Sequence, residues 1–463
     1  MPKPLTCVVS VSGIRGIVGE TLDVEQVMGL AGAYGAALGG GLVVLGRDSR
    51  PTGALLAQAC AAGLRAAGCD VVDIGIVPTP TVPIAALHLG AAGGIQISAS
   101  HNPVQWNALK FFSRDGRNVD QAQLDAVLAI YRDGHDWKRW SACGSFRTWD
   151  QALTLHLDRV LAAVDVELIR SAGLTVVIDS VNGSGSELAP RLLARLGCQV
   201  VPVHCRPDLV FPRDPEPTSE NVRATLGIVT ASGAALGLVQ DPDADRLALI
   251  DEQGRYIGEE YTLVLCAAGR LAQASRDGAG GELVVCTNLS TSRMLEDVAQ
   301  QSGARVVRSR VGEAHVVDAM QAQHAVIGGE GNGGVIEPRV VWGRDSQIAM
   351  ALVLDLLARR RTSLSGLVRE IPRYSIHKEK IALDRPGVAR AIEVLRTHAL
   401  SHGAQSDDRD GLKLSWTDRW MHLRASGTEP ASRIITEAPS HREALDLAPA
   451  VRTAIGATLA NVH

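Results

Sequence analysis

Aromatic residues are scarce in this 463-residue chain, at only 3% of positions. No Lys/Arg tract carries interleaved aromatics, so a platform for stacking nucleic-acid bases is missing. An excess of positive charge is missing too. The 46 Lys+Arg face 50 Asp+Glu for a net charge of −4, which gives no field suited to a phosphate backbone. The eight cysteines are scattered without a C-x-x-C pair, so neither zinc spacing nor a disulfide framework is expected. Met1 to Val11 lacks a long apolar signal core. Met28 to Gly46 is uncharged and long enough to raise a membrane helix, but seven glycines interrupt it. It reads as a helix over Val24 to Leu38, a turn, and a buried strand over Leu42 to Leu45. These absences predict a soluble, cytoplasmic protein that binds neither nucleic acid nor membrane.

What the chain does have is a recurring alternation. Leu42 to Leu45 leads through Gly46-Arg-Asp-Ser-Arg-Pro-Thr-Gly53 into an alanine-rich helix, and Cys69 to Ile74 is followed by a helix over Pro83 to Leu89. Leu174 to Ile178 opens a second such series and Leu283 to Cys286 a third. This predicts α/β layers with largely parallel pairing. Polar breaks follow Arg132 and Asp251, and a single helical stretch is expected over Asp150 to Arg170. From Tyr374 the pattern changes to α+β, with the helix Pro386 to Ser401 among short strands. Four domains are expected, over residues 1–150, 151–254, 255–372 and 373–463.

Four motifs carry chemistry. Ser98-Ala-Ser-His-Asn-Pro103 follows the apolar strand Gly94 to Ile97, so Ser100 can present its hydroxyl to a cleft with His101 and Asn102 as donors. Asp241-Pro-Asp-Ala-Asp-Arg246 follows the strand Leu236 to Val239. Its carboxylates at i, i+2 and i+4 supply hard oxygens for a cation such as Mg²⁺. A calcium loop of the EF-hand type is excluded, because Arg246 takes the place of the required glycine. Gly328-Gly-Glu-Gly-Asn-Gly-Gly334 follows Ala325 to Ile327; its glycines allow close backbone approach to a ligand, and Glu330 and Asn332 can bind hydroxyls. Arg424-Ala-Ser-Gly-Thr-Glu-Pro-Ala-Ser-Arg433 combines guanidiniums, hydroxyls and an open backbone suited to phosphate. Arg15, in a glycine-flanked turn, and Lys110, a candidate acid/base if its neighbours lower its pKa, complete the set. Asn182-Gly-Ser-Gly-Ser186 is similar to a dinucleotide fingerprint but lacks the third glycine and the acid after the next strand.

These motifs in this order resemble the α-D-phosphohexomutase superfamily across the whole chain. The resemblance implies three topologically similar α/β mixed-sheet domains plus a smaller C-terminal α+β domain around a central cleft. By it, Ser100 carries the phosphoryl group and one Mg²⁺ per chain sits between that group and Asp241, Asp243 and Asp245. Arg15, His101, Lys110 and Arg246 would line the transfer site. Glu330 and Asn332 would hold sugar hydroxyls, and Arg424, Ser426, Gly427, Thr428 and Arg433 would grip the distal phosphate. A hexose 1,6-bisphosphate would be intermediate and activator, and the partner a small sugar phosphate bound by a monomer or homodimer. The sugar is expected to be glucosamine phosphate, with dual phosphomannomutase/phosphoglucomutase specificity and a sugar-phosphate phosphatase as alternatives. Many relatives have Ser and a terminal His in the third loop, where this chain has Asn332 and Gly334. His315 is one candidate to supply the missing imidazole.

Overall fold

The computed structural model describes residues 3–278, 281–381, 385–400, 403–425 and 432–448. Three sheets share one strand order. In the first, Cys69–Ile76, Gly41–Arg47, Gly93–Ile97 and Trp106–Phe112 lie side by side, extended by Gly13–Ile17 and Val8–Ser10 at one edge and Phe146–Thr148 at the other. The second runs Gln199–Val203, Thr175–Asp179, Leu236–Gln240, Leu247–Asp251. The third runs Arg305–Ser309, Val284–Asn288, Ile327–Glu330, Gly334–Ile336. In each, a parallel set, four strands in the first sheet and three in the others, is closed by an antiparallel partner. The pairing is therefore mixed rather than largely parallel, since each parallel set ends in a tight turn that reverses the chain.

Those reversing turns hold the motifs. The serine loop joins Gly93–Ile97 to Trp106–Phe112, the aspartate loop joins Leu236–Gln240 to Leu247–Asp251, and the glycine loop joins Ile327–Glu330 to Gly334–Ile336. The last of these differs from the expected strand-then-loop. Gly328, Gly329 and Glu330 are strand residues, and only 331–333 turn. A Cβ on Gly328 would overlap Met320 Sδ and meet the Cys286 carbonyl at 2.8 Å, while one on Gly331 would overlap the Glu260 carboxylate. These glycines are demanded by packing within the protein rather than by a ligand's approach.

The helix Val24–Leu38 forms where its pattern places it. Asp23 and Gln26 make a reciprocal capping box, and Gly39 ends the helix in the left-handed conformation. The stretch expected as one helix over Asp150 to Arg170 is two, Ala152–Ala162 and Val166–Ser171, because Asp165 accepts from Leu168 N and starts a second helix. Among the described residues no helix is long and apolar enough to cross a membrane.

One apolar cluster runs without a break from Val44 through Leu188 and Leu265 to Ile371, joining the first three domains. At its centre lies the helix Ser346–Arg360, buried on every face from Ser346 to Ala358, as a helix apolar all round must be. Polar ties cross the same region. His156, fully buried, meets Thr81 Oγ1 through Nδ1 and Asp345 Oδ2 through Nε2, both at 2.8 Å, while Asp345 Oδ1 caps the central helix at Gln347 N. One imidazole thus links residues of the first three domains.

The C-terminal domain has its own apolar cluster, Val388 to Ala448, beneath the sheet Ser375–Ile381, Ser432–Ala438, Trp420–Ala425, Leu412–Ser415, Gln405–Asp407. Polar contacts dock it on the third domain. Lys413 Nζ donates to the Leu289 carbonyl at 2.6 Å, Ser290 Oγ lies 2.9 Å from His422 Nδ1, and Val311 N donates to Asp410 Oδ2 at 3.0 Å.

Replacing His156 with Ala strands a buried carboxylate oxygen and a buried hydroxyl and leaves a cavity. The expected cost is about 3 kcal/mol, read as a lower urea midpoint and melting temperature. An unshifted midpoint would show that the three-domain tie contributes nothing to stability.

Candidate active site

Ser100 is buried and holds φ 50°, a left-handed conformation uncommon for a residue with a Cβ. Its turn is held from below. Arg50, also fully buried, donates to the carbonyls of Ser100, Asn102 and Pro103 at 2.6–2.7 Å, and its Nε reaches Asp48 at 3.0 Å. Ser98 Oγ donates to Asp48 at 2.6 Å and accepts from Ser100 N at 2.9 Å. The Gly46 to Gly53 segment, legible in the sequence only as a turn, is therefore the cradle of the serine loop.

The aspartate loop comes to meet this serine from the second domain. Ser100 Oγ donates to Asp241 Oδ2 at 2.9 Å and accepts from Arg246 at 3.3 Å. Arg246 also contacts Asp241 at 3.2 Å and the His101 ring. Thr79 braces Asp243 through a 2.6 Å side-chain bond and a 2.9 Å backbone bond. Lys110 Nζ lies 2.5 Å from Asp243 and 3.8 Å from Asp245. Arg15 donates to Asn102 Oδ1 at 3.3 Å and to the Ser12 carbonyl at 2.8 Å. The dinucleotide-like Asn182 to Ser186 segment has a supporting role. Ser184 N donates to the Pro242 carbonyl at 2.7 Å, and a Cβ on Gly183 would strike that carbonyl oxygen at 2.5 Å.

The three aspartates are buried, with one carboxylate oxygen from each within 4.8 Å of the others. Asp243 Oδ1 and Asp245 Oδ1 are buried without any hydrogen-bond donor. Converging hard oxygens, two of them unpartnered, fit a divalent cation that prefers oxygen ligands. Burial raises Asp241 well above the ordinary carboxylate range, with Asp243 and Asp245 adding to the rise. Asp243 moves the other way, because Lys110 outweighs the burial that opposes ionisation. Lys110 is correspondingly raised: burial works against its charge, but Asp243 and Asp245 prevail. This shift runs opposite to the lowering that an acid/base reading of Lys110 asks for. His101 is pushed well below its usual value by burial and by Arg246 and Arg15, so its ring is neutral.

The third domain brings Glu330, buried, with Oε1 accepting from Asn288 Nδ2 at 2.8 Å and Gly312 N at 3.1 Å, and Oε2 from Arg344 at 3.0 Å. Asn332 Oδ1 accepts from Gly334 N at 3.3 Å. His315 lies on the helix Glu313–Ala322, but it is Glu313 from that helix that reaches Arg344. Arg344 was not among the expected site residues. It sits in a turn with no glycine-rich or acidic signature, and its role emerges only when the aspartate and glycine loops meet around it.

In the C-terminal domain Arg424 and Arg433 face each other across two strands at the neck of the segment 426–431. Arg424 Nε donates to Asp410 at 3.1 Å. Ser426, Gly427 and Thr428 lie outside the described residues.

A buried serine turn, an acidic loop whose carboxylates could hold a cation and a pair of facing arginines lie on three different domains. Phosphoglucomutase/phosphomannomutase family profiles match in order: alpha/beta/alpha domain I over residues 8–136, domain II over 154–254, domain III over 259–374, and the C-terminal domain over 380–454. A phosphoglucomutase/phosphomannomutase of Thermococcus kodakarensis is 39% identical over 93% of this chain and 94% of its own length. A probable phosphoglucosamine mutase of Methanopyrus kandleri is 36% identical over 94% and 95%. The crystal structure of a phosphoglucomutase/phosphomannomutase family protein from Burkholderia thailandensis superposes with a TM-score of 0.84 at 28% identity, covering 97% of this chain and 98% of that one. The chain belongs to the phosphoglucomutase/phosphomannomutase family, whose members are intramolecular phosphotransferases.

Changing Asp243 to Asn removes one unpartnered oxygen's charge and leaves the Lys110 ammonium buried opposite a neutral amide. Calorimetric titration with Mg²⁺ is expected to show affinity reduced roughly tenfold or more. Unchanged affinity would remove Asp243 from the cation site.

Proposed function

We propose that this enzyme interconverts hexose 6-phosphate and hexose 1-phosphate through a phosphorylated Ser100 and a hexose 1,6-bisphosphate, with glucosamine phosphate as the preferred substrate. The observation that carries the reading is the position of Ser100. A buried serine hydroxyl lies 2.9 Å from a carboxylate of a three-aspartate cluster and 3.3 Å from a guanidinium. A phosphoryl group on Oγ would bring a charge of roughly −1.5 to −2 into a site already lined by Arg15, Lys110 and Arg246. One Mg²⁺ held by Asp241, Asp243 and Asp245 would neutralise further charge on the transferred oxygens.

In the forward step the Oγ–P bond of phospho-Ser100 breaks as a sugar hydroxyl oxygen bonds to phosphorus, and the proton that hydroxyl loses ends on the freed Ser100 Oγ. The regenerated hydroxyl then donates to Asp241 Oδ2 and accepts from Arg246, as in the unphosphorylated enzyme. The protein contributes position and charge, the chief requirements of phosphoryl transfer. Glu330 and Asn332 are assigned to the sugar hydroxyls. Arg424 and Arg433, with Ser426, Gly427 and Thr428, are assigned to the phosphate that does not react. A simple phosphatase has no need of that second grip. The relative named phosphoglucomutase/phosphomannomutase favours a second reading, in which glucose and mannose phosphates are used as well.

Turnover of glucosamine, glucose, mannose and N-acetylglucosamine 6-phosphates, with Mg²⁺ and a bisphosphate activator, tests the proposal. The highest kcat/KM is expected for glucosamine 6-phosphate; isomerisation of none of the four would refute mutase function, and release of inorganic phosphate alone would make the protein a phosphatase. Intact-mass analysis after exposure to the bisphosphate should show one phosphoryl adduct on the wild type and none on Ser100→Ala. Equal turnover by the two would remove Ser100 from its role.

A further inference from the structure

Gly334 opens the strand Gly334–Ile336, and its φ lies outside the left-handed region, so its backbone does not ask for glycine. What asks for glycine is another side chain. A Cβ built on Gly334 would overlap Cδ of Arg344 and meet its Cγ at 2.9 Å. The aliphatic stem of Arg344 therefore runs through the space that a side chain at 334 would fill. Beyond that point its guanidinium is divided among three carboxylates from three segments. NH2 donates to Asp245 Oδ2 at 2.8 Å, NH1 to Glu330 Oε2 at 3.0 Å and Nε to Glu313 Oε2 at 3.1 Å. Glu313 Oε1 also accepts from the backbone N of Arg344 at 3.0 Å, fixing the base of the side chain. No side chain in this group is more than 15% exposed.

We propose that Arg344 is a positioning residue that locks the aspartate loop to the sugar-binding loop, and that position 334 is kept as glycine so that its stem can pass. On one side it holds Asp245 by Oδ2, which leaves Oδ1 buried and without a hydrogen-bond donor, free to serve a cation. On the other it fixes Glu330, whose second oxygen is already taken by Asn288 and Gly312. A planar guanidinium can serve three carboxylates at fixed angles, whereas an ammonium offers one point of charge. Gly334 is then part of the same device, kept without a side chain so that Arg344 can pass. The part concerning sugar rests on the function proposed above; the part concerning Asp245 does not.

The test uses full-length Arg344→Met, Arg344→Lys, Arg344→Ala, Gly334→Ala and the double variant Gly334→Ala/Arg344→Ala. Each is read by Mg²⁺ calorimetry, thermal melting, kcat and KM. Arg344→Met is expected to bind Mg²⁺ about tenfold more weakly, the size of loss typical when a ligand's orienting partner is removed. Its kcat should fall and its KM for the sugar phosphate rise, since both loops lose their anchor. Arg344→Lys keeps the charge and should nonetheless resemble Arg344→Met. Gly334→Ala should reproduce these defects by displacing the stem, yet change nothing when added to Arg344→Ala. An alanine at 334 that is equally harmful in both backgrounds would trace the harm to Asn332 Oδ1, 3.2 Å from the added Cβ, rather than to Arg344, and would overturn the pairing. Wild-type Mg²⁺ affinity in a folded Arg344→Met would overturn the positioning of Asp245. Should Arg344→Met fail to fold, Gly334→Ala retains the cation among the three carboxylates and decides the question. A wild type that binds Mg²⁺ but isomerises no hexose phosphate would refute the proposed function and still allow the Asp245 test.

Discussion

Three carboxylates held inside a protein with their oxygens within 4.8 Å are not stable on their own terms. Desolvation and mutual repulsion both favour the neutral acid, and the ionised cluster persists only if cations crowd round it. That constraint organises the molecule. Lys110 comes from the first domain, Arg246 from the aspartate loop itself and Arg344 from the third domain, each within 4 Å of one or more of these carboxylates. The balance is uneven. Asp243 has an ammonium at 2.5 Å and is driven to ionise, whereas Asp241 has a more distant guanidinium and is pushed toward the protonated form. Asp241 is the one that holds the Ser100 hydroxyl.

The convergence is possible because the first three domains use one turn for the same purpose. Each sheet places its active loop where the last parallel strand reverses into its antiparallel neighbour. Loops beyond the carboxyl ends of parallel strands are where open α/β sheets bind ligands. The aspartate loop meets the N-terminal end of the buried helix Ser346–Arg360, where Ser346 Oγ donates to the Ala244 carbonyl at 2.6 Å, and the capping residue Asp345 follows Arg344 directly. The imidazole of His156 and the capping carboxylate thus fix the chain immediately beside the guanidinium that joins two of the loops.

Local signals in the sequence were enough for many of the strands, the helix Val24–Leu38 and the serine and aspartate turns, because apolar runs and turn residues act over a few neighbours; Trp106–Phe112 and Gly13–Ile17, which carries Arg15 in a strand rather than the expected turn, went unread. Legibility failed where the answer depended on distant partners. The sign of the Lys110 shift depends on Asp243, 133 residues away in the chain. Arg50 looks like one charge in a turn, yet its meaning is the set of carbonyls it meets near residue 100. The glycines near 330 suggested room for a ligand, but Met320, Cys286 and Glu260 are what they make room for. Arg344 has no local signature at all.

The apolar cluster that unites three domains stops at Ile371, and the fourth has a separate cluster of its own. Among the described residues, hydrogen bonds and ion pairs join them, two of these ending on backbone carbonyls. Contacts of that kind are exchanged with water at little net cost, while an apolar core is not. One apolar cluster thus reaches into three domains, while the fourth meets them through polar contacts. The large unit carries the serine, the aspartates and Arg344, and the small unit carries Arg424 and Arg433. The arginine pair at the neck of 426–431 travels with the small unit, so a bound ligand touching both bodies would act as the bolt between them.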